Sequence, residues 1–167
     1  QWTWVKGPGI SQQGGTYGTL GVPAPLNNPG ARSWGSVTWV DPAGDLWLFG
    51  GLGYDGNSGY GFLCDLWKYS ISSNEWTWVS GPNQGSQPGV YGTQGIPSAA
   101  NHPGAHAETN TSWVDNDGNL WFFGGWDGST DYNDLWKFDI STSEWTWMKG
   151  ANFGGQSGTY GTLGVSS

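Results

Sequence analysis

The sequence predicts an all-β protein built from repeated units, and three observations carry that reading. Trp-Thr-Trp occurs at Trp2-Thr3-Trp4, again 74 residues on at Trp76-Thr77-Trp78, and again after a further 69 at Trp145-Thr146-Trp147. Other landmarks keep the same register: Phe49-Gly50-Gly51 returns as Phe123-Gly124-Gly125, Asp65-Leu66-Trp67 as Asp134-Leu135-Trp136, and Tyr17-Gly18-Thr19 as Tyr91-Gly92-Thr93 and Tyr160-Gly161-Thr162. Finally, 31 glycines and 9 prolines interrupt segments rich in aromatic and β-branched residues, which favours short strands and turns over helices. A unit repeated at this distance is one supersecondary element that needs neighbours to bury its faces.

Four short strands fit each unit. The first spans residues 33–40 and is copied by 108–114; it ends in a tight turn, Asp41-Pro42-Ala43-Gly44 or Asp115-Asn116-Asp117-Gly118, whose residues tolerate turn geometry. The second spans 46–49, copied by 120–123, and the paired glycines after it should stop or kink the strand. The third spans 65–70, copied by 134–139, and a short polar link leads to the fourth at 75–79 or 144–148. In the fourth, Trp76 and Trp78 point to one face while Thr77 and Val79 point to the other. Sheets apolar on both faces must be covered on both, which radial stacking into a propeller achieves.

Arg32 ahead of the first strand, Phe-Gly-Gly after the second, Asp-Leu-Trp-Lys in the third and Glu-Trp-Thr-Trp in the fourth together resemble kelch repeats, most closely the long Trp-rich blades of bacterial proteins. The resemblance covers nearly the whole chain. It implies kelch-type β-propeller blades, each a four-stranded antiparallel sheet with the first strand innermost, forming an incomplete propeller within one chain. The organisation expected is an outer strand of a neighbouring blade plus a loop at 1–31, blade one at 32–79, an inter-blade loop at 80–105, blade two at 106–148 and a trailing linker at 149–167. Closed propellers use about 4–8 blades, so the chain is expected either to self-associate or to need the remainder of a longer propeller. The surplus strand carrying Trp2 and Trp4 is the expected self-association element, supplied to or completed by a neighbour.

Charge excludes some partners. With a formal charge of −8 and five scattered basic residues, neither nucleic acid nor an anionic membrane surface is expected as a partner, and with no apolar run near the roughly 20 residues of a membrane helix, membrane insertion is not expected either. Long links at 52–63, 126–132, 6–30 and 80–104 should share one face of the disc, where recognition resides on rigid scaffolds. Tyr17, Tyr91 and Tyr160 recur and so are expected to be structural. Tyr54, Tyr60, Trp126 and Tyr132 are the recognition candidates, for a glycan or a protein ligand.

Chemistry-bearing groups are sparse. Cys64 is the sole cysteine, to be read as a buried thiol or as an intermolecular bridge. Asp115-Asn116-Asp117-Gly118 opens like a calcium loop but has Trp126 where a bidentate Glu is needed, so it reads as a hairpin turn. His102 and His106 flank Pro103-Gly104, which forbids the helical pairing of metal ligands, and His106 aligns with Arg32. No paired carboxylates recur and no nucleophilic triad has a recognisable context, so neither catalysis nor a cofactor is expected. Some kelch propellers, such as galactose oxidase, are copper enzymes using a Tyr joined to a Cys, and no matching ligand set is present here. Asn110-Thr111-Ser112 is a formal glycosylation sequon inside an expected inner strand. The expected function is a non-enzymatic extracellular or cell-surface scaffold, self-associating through blade edges and presenting long loops on one face. A ligand-binding module of a larger propeller is the alternative.

Overall fold

The computed structural model describes residues 1–108 and 111–165, and these contain nine strands and no helix. One sheet comprises β1 (Arg32–Trp34), β2 (Val37–Val40), β3 (Leu46–Tyr54), β4 (Tyr60–Ser70) and β5 (Glu75–Ser80). The other comprises β6 (Thr111–Val114), β7 (Leu120–Trp126), β8 (Asp131–Asp139) and β9 (Glu144–Lys149). Both are antiparallel meanders in chain order, β1 and β2 together taking the innermost place. They are two propeller blades, and two do not close a ring.

The expected first strand is therefore split. Gly35, at φ +63°, breaks it, and a side chain there would collide with the backbone nitrogen of Glu108, so the break admits the entry segment of blade two. The turn after it is held as its sequence predicts. Asp41 accepts from the backbone of Ala43 and Asp45 and from the Trp47 indole, each at 2.9 Å; Asp115 repeats this with Asp117, Asn119 and Trp121.

Of the stop or kink expected after Phe-Gly-Gly, the second strand takes the kink. Gly50 and Gly51 take φ +61° and +95° and form a bulge, after which β3 runs on to Tyr54 and pairs with a β4 that starts at Tyr60. Blade two has the same shift between Phe123 and Gly125. The long links expected at 52–63 and 126–132 are thus partly strand, and their tips shrink to 55–59 and 127–130. Asp55 fixes the first tip by accepting from the backbone of Asn57, Gly59 and Gly85.

The core lies between the sheets. Trp39, Trp47 and Phe49 meet Phe122, Phe138 and Trp145: Phe49 stacks on Phe122 at 5.2 Å and meets Trp145 at 5.6 Å, Trp47 meets Phe138 at 5.7 Å, and the Trp39 indole donates to the Trp121 carbonyl at 3.0 Å. Burying each such ring stabilises the joint by about 1.5–3 kcal/mol. Residues 2–5 depart from expectation. They form no strand, and Trp2 and Trp4 are exposed.

Candidate functional site

The repeated Tyr-Gly-Thr segments are straps that cross the outer edge of each blade. The Tyr17 ring packs on Trp67 and Trp78, at 4.8 and 5.1 Å, and its hydroxyl donates to Asp65 at 2.6 Å. The same strap donates from Gly21 to the Trp78 carbonyl and from the Asn27 side chain to that of Trp76. Tyr91 repeats this on Trp136, Trp147 and Asp134, with Gly95 on Trp147 and Asn101 on Trp145. The Trp-Thr-Trp carbonyls that a bare strand edge would offer a neighbour are therefore already occupied. Strand addition at β5 or β9 is blocked by the chain itself.

Beneath each strap lies a carboxylate, and the two blades treat it differently. In blade one Arg32 is bidentate on Asp65 at 3.0 and 2.9 Å, also donates to the Gly50 carbonyl, and shares Asp65 with the Trp67 indole and Tyr17. Burial, then the Asp65 charge, pushes the Tyr17 hydroxyl far above its ordinary pKa. In blade two His106 takes Arg32's place, its ring 4.5 Å from Tyr132 and 6.0 Å from Phe122. It is buried with no hydrogen-bond partner on either nitrogen, and Asp134 keeps one buried oxygen unpartnered. Burial holds the His106 pKa below its usual value, against the pull of Asp134 and Asp127.

Each blade has a second face. The face of blade one that looks away from blade two carries Leu46, Leu48, Tyr69 and Trp76; the corresponding face of blade two carries Trp113, Trp121 and Phe123. These residues are repeat copies of those packed in the joint; Tyr69 is buried like its copy Phe138, but elsewhere the exposure differs sharply. Trp39 is 5% exposed and its copy Trp113 41%; Phe49 is 0% and Phe123 45%; Leu120 is 0% and its counterpart Leu46 40%. Trp113 and Trp121 lie nearly parallel, their rings 6.0 Å apart, as an aromatic platform. Contiguous apolar patches of this kind mark interaction surfaces.

The recognition candidates divide. Trp126 packs edge-on against Phe62 at 5.4 Å and exchanges backbone hydrogen bonds with Ala107, and Tyr132 covers His106 while donating to Asp127. Both are built into the joint or its support. Tyr54 and Tyr60 form a cross-strand ring pair at 5.0 Å beside a hollow of about 470 Å³ that Gln12, Arg32 and Ser33 also line. Tyr17 and Tyr91 are structural, as expected, whereas Tyr160 is 93% exposed. Cys64 is buried in the joint, where burial pushes its thiol far up, so an intermolecular bridge through it has no access. Asn110 lies outside the described residues.

A groove of about 920 Å³ between the blades is lined by Leu20, Trp47, Lys68, Val79, His102 and Ile140. Among the described residues no three His, Cys, Asp or Glu side chains gather at metal-binding distance. The Asp115 turn is a hydrogen-bonded hairpin turn: burial raises the carboxylate, but donors from Asn119, Trp121 and Asp117 outweigh it and hold it at about 2. Among the described residues no helix is long and apolar enough to cross a membrane. No protein-family model matches the chain, and a search of curated proteins returns no match.

The sequence missed the straps' part in closing the outer edges and the role of the blade faces. Both were signalled by repetition: Tyr-Gly-Thr recurs with Trp-Thr-Trp because the two pack together, and Trp39 and Trp113 share a register although only one is covered.

Proposed function

We propose that this chain is a non-enzymatic kelch-type scaffold of the cell exterior that associates with copies of itself through its open blade faces and presents its hairpin tips and inter-blade straps on one side. The observation that carries this reading is the exposure of Leu46, Trp113 and Phe123 at positions whose repeat copies are buried. Leaving several large apolar side chains in water costs about 1.5–3 kcal/mol each relative to burial, which a partner face removes. The kelch assignment rests on the ordered landmarks of the sequence, and the extracellular placement on the likeness to secreted bacterial propellers. Light scattering after size exclusion tests the association: the chain should elute as a discrete multiple of 17.9 kDa at micromolar concentration. A stable species of 17.9 kDa at every concentration would overturn it.

A second reading, ligand binding, is favoured by one observation, the accessible Tyr54–Tyr60 pair beside its hollow. Paired rings with hydroxyl edges suit a sugar's apolar face and polar rim. Glycan-array binding that disappears in Tyr60→Ala supports this reading; an array with no signal for the unmodified chain rejects it.

A further inference from the structure

We infer that the open face of blade two docks on the open face of blade one of a second copy, in the register of the internal joint, so that copies join head to tail and close into a ring. This deepens the self-association reading and rests on it. The internal joint supplies the template, since it already packs the same two kinds of face. Shifting each partner by one repeat converts the contact of Phe49 with Phe122 and Trp145 into one of Phe123 with Leu48 and Trp76 of the second copy. Trp47 on Phe138 becomes Trp121 on Tyr69, and the bond from Trp39 to the Trp121 carbonyl becomes one from Trp113 to the Trp47 carbonyl.

The substitutions across this shift keep the faces apolar. Leu48 stands for Phe122, and Tyr69 for Phe138, with the added hydroxyl already donating to Asn74 at 2.7 Å within its own blade. Tyr69 is already buried within its own blade, so a face laid over it strands no polar group.

The two open faces differ from each other, so their union is heterologous: it repeats until a rotation closes it. Closed propellers hold about 4–8 blades, which limits such a ring to a few copies. The spare segments stand aside. Residues 2–5 copy a place that β9 already fills, and residues 160–165 copy a strap whose place on the next blade one is held by the segment around Tyr17. Docking by faces thus differs from donation of the Trp2–Trp4 strand.

Two blocking variants of the full chain test this: Phe123→Glu on blade two, and Leu46→Glu with Leu48→Glu on blade one. Near-ultraviolet circular dichroism checks their fold, and Leu46→Glu alone serves should the double variant unfold. Native mass spectrometry should find each variant alone at 17.9 kDa and the equimolar mixture at twice that mass and no larger, because one good interface remains per pair. The unmodified chain should give one closed mass. If either folded variant alone keeps the unmodified mass, if Trp2→Ala with Trp4→Ala dissociates the assembly, or if the unmodified chain polymerises without limit, the head-to-tail ring is wrong while self-association stands. A monomeric unmodified chain removes the self-association reading itself.

Discussion

At the scale of single residues, the two blades differ most where Arg32 is replaced by His106. The Arg32–Asp65 pair is buried and its carboxylate is fully used by Arg32, Trp67 and Tyr17, whereas Asp134 has one buried oxygen without a partner and His106 has two such nitrogens. A neutral histidine tolerates that site better than a charged one, which gives a pH signature. Because the folded state lowers the His106 pKa, protons bind the unfolded chain first: the stability is intact above the unfolded value of about 6.5 and is lost as pH falls below it, by up to about 1.4 kcal/mol per unit. Asp115 and Asp127, held at about 2, contribute their own losses only below about 4, so the histidine window is separate. Denaturant unfolding between pH 7 and 5 should show the slope, and His106→Phe should flatten it. An equal slope in that variant would place the titration elsewhere. In the other blade Arg32→Ala leaves Asp65 buried and charged and should cost about 3–5 kcal/mol.

At the scale of elements, the straps complete the sheets. Tyr17 and Tyr91 each close a blade by packing on two tryptophans and bonding to a buried carboxylate. Tyr17→Phe keeps the ring contacts and removes one charge-assisted bond, so it should destabilise by about 1.5–3 kcal/mol, with the strap amides, Gly21 first, losing hydrogen-exchange protection before β4 does. Uniform loss of protection across blade one would show that the strap is not a separate layer. Much of this element-level order was legible in the sequence. Alternation in Trp76-Thr77-Trp78 gave β5 its faces, and Asp41 with Gly44 gave the first turn, because both follow from local backbone chemistry. The extension of β3 and β4 to the Tyr54–Tyr60 pair was only half legible: Gly50-Gly51 reads as a stop or a kink, and pairing with Leu63 and Phe62 selects the kink by carrying the strand through the bulge. The candidate recognition residues were legible only as aromatics in a link, so Trp126 and Tyr132 could not be told from Tyr54 and Tyr60 until packing against Phe62 and His106 was visible.

At the scale of the whole molecule, the open faces are apolar while the chain is acidic, and these two properties oppose each other in assembly. Each copy carries a formal charge of −8, so bringing copies together raises the electrostatic self-energy as like charges approach. The attraction between Phe123, Trp113 and their partner face is short-ranged and insensitive to modest salt, whereas the repulsion extends over the Debye length, about 30 Å at 0.01 M and about 8 Å at 0.15 M ionic strength. Raising sodium chloride across that range should therefore tighten association, lowering the concentration at which half of the copies are assembled. Sedimentation velocity at several concentrations and two salt levels measures this directly. The reverse result, assemblies that dissociate as salt rises, would mean that ion pairs join the copies, and would turn attention from the tryptophan faces to charged rims such as that of Lys68 with Asp45 and Asp41.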